Sequence, residues 1–343
     1  MSAVRPAGGD APAGARRVRV CIDAMGADFE PALAVEAAGD ALARDPELAI
    51  LLIGDPDALH RAPRLPAALA ERVEQETCRE SIAMDASASQ AIRHGQGSSL
   101  ARALERVADG RVDAVVSAGN TGALMALARA RLGMLPGVER PALMTRFPVR
   151  GGSAWVLDLG ANIHVDADRL TEFALLGSAA AGALLGRRPR VGLLNIGREP
   201  SKGPDVVREA ARRCAIADLD FIGFVEGHDV FAGVADVVVC DGFAGNVMLK
   251  SAEGAIGMLL AEVDAESRGW LSGPRARRLR RRLHARYDPA GHNGASLLGI
   301  GGIVIKSHAH ASADGLAQAI AMAALEVRRG MLPELERQLW ASG

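Results

Sequence analysis

Only three of the 40 basic residues in this 343-residue chain are lysines, and each lies beside a glycine-rich segment. They are Lys202, Lys250 and Lys306. Arginine carries the remaining positive charge, so we interpret these lysines as positions where a compact, rotatable ammonium group serves better than a planar guanidinium. Binding phosphate as a point charge is one such use. The alternative is chance retention in an arginine-rich sequence.

Five glycine-rich segments follow short apolar runs, where an α/β protein places its ligand-binding turns. Two of them, SAGNTGAL at 117–124 and DGFAGN at 241–246, combine glycines with N-cap residues, so their free N–H groups would face an anion. The others are DAMGAD at 23–28, DLGAN at 158–162 and NIGREPSKG at 195–203. One such turn is ordinarily a tight connection, but five together predict an anion-binding site.

The sequence offers no motif for several common chemistries. A GxxxxGK[ST] loop, a GxGxxG opening a helix, HExxH and GxSxG are all absent, so nothing directly supports nucleotide binding, a zinc hydrolase or a serine hydrolase. We expect no metal and no cofactor. The cysteines are widely spaced, which indicates neither a disulfide framework nor a structural metal and fits a reducing cytoplasm. They are Cys21, Cys78, Cys214 and Cys240.

Composition narrows the class further. A chain that is 49% hydrophobic with a net charge of -1 is typical of a globular protein with a large core. Its longest apolar stretch, Phe173 to Gly186, is shorter than the ~20 residues that a membrane helix needs. Aromatic residues make up only 3%, and the chain is not basic overall, so nucleic acid is a disfavoured partner.

Apolar runs that end at Gly, Asp or Asn alternate with helical periodicity, which predicts an α/β fold with a mostly parallel sheet and helices on both faces. The predicted strands cover 18–23, 48–54, 112–117, 154–160, 191–197, 221–227 and 237–242. The predicted helices cover 31–44, 100–109, 122–132, 168–185, 205–217 and 246–266. We expect a disordered tail at 1–16, followed by a single catalytic domain at 17–343 with its ligand-binding loops at one edge of the sheet.

The segment from about 254 to 288 contains two helical patterns and no strand, so we predict a helical hairpin that projects from the sheet. Seven arginines lie between 275 and 286 around a narrow apolar stripe. Such a basic face suits an acidic protein partner or an anionic lipid surface, although a solvated charged helix would look similar. The predicted partner or membrane surface consists of Trp270, Leu271, Arg275, Arg278 and Arg282.

Taken in order, these segments resemble the phosphate acyltransferases of the PlsX type from about residue 18 to residue 325. The matching segments are DAMGAD, SAGNTGALMA, RPA, DLGAN with LTEFALLG, RVGLLNIG with KG, VEG, DVVVCDGFAGNVMLK and SLLGIGGIVIKSH. The resemblance implies transfer of a fatty acyl group from acyl carrier protein to inorganic phosphate for phospholipid synthesis. It also implies a fold similar to isocitrate and isopropylmalate dehydrogenases and phosphotransacetylases, and a homodimer at the membrane surface that supplies a glycerol-phosphate acyltransferase.

The residues suit this chemistry because a departing thiolate needs little acid help. Catalysis then requires groups that hold phosphate and stabilise an oxyanion. We predict that Lys202 orients phosphate and that Asn246 polarises the carbonyl or the phosphate. Further predicted substrate-binding residues, for each of which a capping or turn role is the alternative, are Asp23, Gly26, Asn120, Thr121, Gly122, Asn162, Asp241, Lys306 and His308.

Some positions near the expected site depart from the family pattern and could alter acyl-chain range or phosphate affinity. They are Ala27, Arg198, Phe224, His292 and Ala309. The first alternative function is a phosphate acetyl- or butyryltransferase that acts on acyl-CoA. The second is a catalytically weak scaffold that binds acyl carrier protein and membrane through the basic hairpin.

Overall fold

The computed structural model describes residues 16–26, 30–268, 273–287 and 293–341. Trp270 and Leu271 of the predicted partner surface lie outside the described residues, as do Ala27 and His292 and nearly all of the predicted N-terminal tail.

Within the described residues one sheet of eleven strands forms the centre of the protein. The strands are β1 (Val18–Asp23), β2 (Leu48–Gly54), β3 (Val73–Thr77), β4 (Ala114–Ser117), β5 (Ala142–Val149), β6 (Gly152–Leu157), β7 (Arg190–Leu194), β8 (Asp220–Val225), β9 (Val237–Val239), β10 (Ala295–Leu298) and β11 (Ile303–Lys306). Their order is β3-β2-β1-β4-β11-β10-β5-β6-β9-β7-β8. Only the pairings β11–β10, β10–β5 and β5–β6 are antiparallel, so the predicted mostly parallel α/β fold is confirmed.

The three antiparallel pairings reverse the sheet at its middle. As a result β3, β2, β1, β4 and β11, here called the first half, point one way. The second half, β6, β9, β7 and β8, points the other way. The carboxyl ends of the two halves therefore lie at opposite edges, and the expectation that all binding loops share one edge is wrong.

Thirteen helices lie in the described residues. They are α1 (Pro31–Arg44), α2 (Pro56–Arg61), α3 (Ala67–Ala70), α4 (Ala88–His94), α5 (Ser99–Ala108), α6 (Thr121–Leu132), α7 (Ala167–Leu185), α8 (Asp205–Ile216), α9 (Gly227–Ala232), α10 (Gly242–Arg268), α11 (Pro274–Tyr287), α12 (Ala313–Arg328) and α13 (Met331–Ala341). None of those described is both long enough and apolar enough to cross a bilayer.

Helices cover both faces of the sheet because alternate strand residues enter different cores. On one face α1 and α12 pack on the first half, and α7, α8 and α13 pack on the second half. On the other face a single core runs under α5 and α6 at the first half and α10 at the second half. The central strand β5 contributes Leu143 and Phe147 to this core, between the two groups of helices.

The predicted hairpin corresponds to the later part of α10 and the whole of α11. The two helices contact one another through Asp264, whose carboxylate lies 3.0 Å from Arg280 and 2.9 Å from His284. All seven arginines of α11 are exposed, including the three chosen from the sequence.

Candidate active site

A cleft of about 210 Å³ lies between α6 and α10, over β5 and beside the ends of β10 and β11. Both halves of the sheet contribute to this cleft. The reason is that α10 begins after β9, at the edge where the second-half strands end, and runs back across the face of the sheet. Six polar side chains of its lining are Thr121, Asn246, Lys250, Glu253, Lys306 and His308. Four of these were predicted from the sequence, and the structure brings them to one cavity.

The turn between β9 and α10 fixes the position of Asn246. Asp241 caps the helix, since its Oδ1 accepts a hydrogen bond from the backbone N–H of Ala244 at 2.8 Å. Gly245 is required here because a Cβ would lie 1.9 Å from the carbonyl oxygen of Asp158. This close packing sets Asn246 against the turn at Gly160. The Asn246 amide is exposed in the cleft and has no hydrogen-bond partner among the described residues, so it is free to contact a ligand.

Lys306 supplies a mostly buried ammonium group to the cleft. Its Nζ donates to the carbonyl oxygen of Ala118 at 3.2 Å and to that of Ser307. Burial lowers the pKa of Lys306 to about 8, and the nearby charge of Lys250 acts in the same direction, while Asp23 opposes both. The two ammonium groups therefore repel one another, and a bound anion would relieve this repulsion.

Asp23 lies beneath the cleft and does not line it. Its buried carboxylate accepts hydrogen bonds from the Ser99 hydroxyl at 2.6 Å and the Ser117 hydroxyl at 2.7 Å. Burial raises the pKa of Asp23, although these hydrogen bonds act in the opposite direction. Gly26 closes over this group, because a Cβ there would lie 2.2 Å from Oδ2 of Asp23. Asp23 therefore orders the strand ends and attracts Lys306.

Glu253 connects the two sides of the cleft. Its carboxylate lies 2.7 Å from Nζ of Lys250 and 3.4 Å from Nε2 of His308. Partial burial would raise the pKa of Glu253, but the hydrogen bonds with His308 and Lys250 outweigh burial and lower it. The His308 backbone is itself held by Asn293, whose Oδ1 accepts its N–H at 3.0 Å.

The amides of Asn120 and Asn162 are occupied by structural hydrogen bonds. Asn120 caps α6 through Ala123 at 2.8 Å and donates to the carbonyl oxygens of Met84 and Ala86 at 2.6 and 3.0 Å. Asn162 is buried and donates to Pro141 O at 2.8 Å and to Asp158 at 3.0 Å. Both side chains show the capping or turn role, and neither lines the cleft; nor does Gly122.

Lys202 also lies outside this cleft. It is exposed on the loop after β7, where its carbonyl oxygen accepts a hydrogen bond from Asn195 Nδ2 at 3.1 Å. Because β7 and β9 are neighbours, this loop lies beside the start of α10. The single chain thus brings Asn246 but not Lys202 into the cavity, and the catalytic role of Lys202 stays a prediction.

Sequence reasoning did not assign Lys250 and Glu253 to the site, although the signal was present. Asn246, Lys250 and Glu253 are spaced four and three residues apart in a predicted helix, which puts them on one face. Extending the site from the turn along this helical face would have found both.

The cleft presents two ammonium groups and a free amide, a set of donors that suits an anion, and the fold is similar to that of phosphotransacetylases. A phosphotransacetylase from Streptococcus pyogenes has a TM-score of 0.61 and 18% identity, covering 91% of this chain and 94% of that one. A phosphotransacetylase from Staphylococcus aureus has a TM-score of 0.57 and 16% identity with the same coverage. A 4-hydroxythreonine-4-phosphate dehydrogenase from Klebsiella pneumoniae has a TM-score of 0.55 and 14% identity over 91% of this chain and all of that one.

The chain belongs to the fatty acid synthesis protein family, whose sequence profile matches residues 18–333. A phosphate acyltransferase from Alkalilimnicola ehrlichii is 45% identical over 94% of this chain and 96% of its own length. One from Pseudomonas syringae pv. tomato is 46% identical over 93% of this chain and 96% of its own, and one from Vibrio vulnificus 42% identical over 94% and 97%. The protein is an acyltransferase, and the resemblance stated from its motifs is confirmed.

Proposed function

We propose that this protein transfers a fatty acyl group from acyl carrier protein to inorganic phosphate at the cleft between α6 and α10. The observation that carries this proposal is the convergence of a buried ammonium, Lys306, and a free amide, Asn246, on one cavity. The names of the curated relatives support phosphate as the acceptor.

The reaction needs few groups beyond these. Lys306 and Lys250 hold the phosphate dianion, one oxygen of which attacks the thioester carbonyl carbon and forms a C–O bond. The carbonyl becomes an oxyanion, which Asn246 stabilises through an amide hydrogen bond. When the oxyanion collapses the C–S bond breaks, the electron pair leaves with sulfur, and the thiolate takes up the proton that the phosphate loses. The products are acyl phosphate and free carrier protein.

Glu253 has a positioning role in this scheme. Paired with Lys250 and His308, it holds both side chains at the mouth of the cleft before phosphate arrives. When phosphate binds, Lys250 exchanges one partner for another, since its side chain is 55% exposed and can rotate.

We assign the carrier protein to the basic surface of α11. Arg275, Arg278 and Arg282 are exposed and have no ion pair among the described residues, so their charge is available to an acidic partner. We further propose that the protein works as a cytoplasmic homodimer at the inner face of the membrane, where acyl phosphate is passed to a glycerol-phosphate acyltransferase.

The test is thiol release by the purified protein, with and without phosphate. Phosphate-dependent release from hexadecanoyl acyl carrier protein, together with the appearance of acyl phosphate, is expected. Equal or faster release from acetyl- or butanoyl-CoA would instead identify a phosphate acetyl- or butyryltransferase. Tight binding of carrier protein without thiol release from either thioester would identify the protein as a catalytically weak scaffold.

A further inference from the structure

The cleft continues into a second, larger cavity between α10, α11 and the loop after β5. This second cavity is about 1000 Å³ and is walled mainly by apolar side chains. The two cavities share five lining residues and therefore adjoin one another. The shared wall consists of Pro148, Phe231, Ala252, Ile256 and Tyr287.

One face of α10 lines both cavities, and the side chains on that face change from polar to apolar along the helix. Its first part presents Asn246, Lys250 and Glu253 to the cleft. Its next part presents Ile256, Leu260 and Val263 to the apolar cavity, at the same three- and four-residue spacing. Polar chemistry at one end thus passes into a mainly apolar wall, although Glu262 of α10 also lines the second cavity.

From Glu253 to Val263 the helix rises about 15 Å, at ~1.5 Å per residue. Half the ~30 Å hydrocarbon core of a bilayer, which is the span of one lipid acyl chain, is also about 15 Å. The opposite wall is formed by Leu283 and Tyr287 of α11, and the Arg286 guanidinium lies over the Tyr287 ring at 5.4 Å. Cavities of ~300–1,000 Å³ are the usual size for sites that bind small molecules.

We propose that this apolar cavity holds the acyl chain of the thioester substrate and that Leu260 and Ile256 set the chain length that the enzyme accepts. This inference rests on the proposed function, because it places the carbonyl in the cleft and the chain beyond it. The adjacency of this cavity to the cleft favours this occupant, since a molecule with a reactive polar end and an apolar tail matches the two linings. It also gives α10 and α11 a role in substrate selection that their charge alone does not suggest.

The experiment places a tryptophan side chain in the apolar cavity, first at the end farther from the cleft. Leu260→Trp blocks the distal part, and Ile256→Trp blocks it one helical turn, about 5 Å, nearer the cleft. Met258→Trp is the matched control, because Met258 is 64% exposed on the same helix whereas Leu260 is 8% exposed. Each variant is assayed for phosphate-dependent thiol release from hexadecanoyl, decanoyl and butanoyl acyl carrier protein.

We expect Leu260→Trp to lower the ratio of kcat/KM for the sixteen-carbon over the four-carbon substrate by at least tenfold, since each buried methylene contributes roughly fourfold. Ile256→Trp should extend the loss to the ten-carbon substrate, and Met258→Trp should leave the ratio within twofold of wild type. An unchanged ratio in both cavity variants would overturn the inference. So would an equal loss for every chain length.

Two further measurements distinguish failure of this inference from unfolding of a variant and from failure of the proposed function. Leu283→Trp narrows the cavity from α11 and should reproduce the Leu260→Trp pattern even if the latter unfolds, which circular dichroism will show. Should wild-type protein release thiol from none of the thioesters, the proposed function fails. The cavity is then judged by equilibrium binding, where tighter binding of hexadecanoyl than butanoyl carrier protein, lost in Leu283→Trp, supports it and equal binding refutes it.

Discussion

At the scale of single residues, the two lysines of the cleft differ in burial and partners, and this difference predicts unequal roles. Lys306 is largely buried and bonded only to carbonyl oxygens, whereas Lys250 is exposed and paired with Glu253. Lys306→Met removes the charge while keeping the volume, and it should lower kcat/KM for phosphate on the order of 100-fold. Lys250→Met should cost no more than about tenfold. Thiol release measured against phosphate concentration distinguishes them, and similar losses would contradict the assignment.

The pKa of Lys306 gives the site a pH dependence. Because burial lowers this pKa to about 8, the ammonium is mostly protonated at pH 7 and loses its proton as the pH rises above 8. Phosphate binds the protonated form, so the half-saturating phosphate concentration should rise up to about tenfold per pH unit above 8. The same titration of Lys306→Met should be flat over that range. A parallel rise in both proteins would assign the effect to another group.

Asn246 and Lys202 are tested by truncation. Asn246→Ala removes the only described amide that is free in the cleft, and kcat should fall by about 100-fold to 1,000-fold.

Lys202→Ala should lower turnover steeply with an unchanged midpoint of thermal unfolding, because its exposed side chain makes no hydrogen bond among the described residues. Unchanged turnover in Lys202→Ala would remove this residue from the mechanism.

At the scale of elements, the exposed arginines of α11 predict that acyl carrier protein docks on this helix. Replacing Arg275, Arg278 and Arg282 with serine should weaken binding of acyl carrier protein at least tenfold at low salt, with a smaller effect at ~0.5 M salt because screening already reduces the attraction. A control variant with equal loss of charge replaces exposed arginines on other elements, Arg61, Arg64 and Arg129. Binding is measured by titration calorimetry, and equal weakening in the two variants would indicate net charge alone.

The elements that sequence reasoning found were the buried ones. β1, β2 and α1 were predicted to the residue, since uninterrupted apolar runs and a clear helical period mark them. β3 was missed because its sequence, VEQET, is polar at the edge of the sheet. β5 was missed because Arg146 and Pro148 interrupt its apolar run. Failing to predict β5 affects the site, because this strand lies at the reversal of the sheet and forms the floor of the cleft.

At the scale of the whole molecule, the motifs gave the family and four of the cleft residues, while the geometry of the site was not accessible from them. A pattern of strands and helices predicts a mostly parallel sheet but not where the sheet reverses, and the reversal depends on the pairing of β10 with β5, two segments about 150 residues apart. Binding loops expected at one edge are therefore divided between two. The cleft joins them only because the long helix α10 crosses the face of the sheet.

The stability of the whole molecule should respond to one buried carboxyl that does not line the cleft. Glu326 of α12 is fully buried against β10, where the Ser296 hydroxyl donates to its Oε1, and its other oxygen has no hydrogen-bond partner among the described residues. Burial raises the pKa of Glu326 from 4.5 to about 8, although the Ser296 hydrogen bond acts in the opposite direction. An acid whose folded-state pKa is raised gives its full stabilisation below pH 4.5, and this stabilisation is lost as the pH rises towards 8.

Glu326→Gln keeps the shape and removes the ionisation. The variant should unfold with nearly the wild-type free energy at pH 5 and should be more stable by on the order of 4 kcal/mol at pH 8, because only the wild type gains from exposing a carboxylate to water. Urea unfolding at both pH values, followed by circular dichroism, measures this change. If the difference in free energy between the two proteins is the same at pH 5 and pH 8, then Glu326 does not titrate between them, and the packing of α12 on β10 must admit water or another donor to the orphan oxygen.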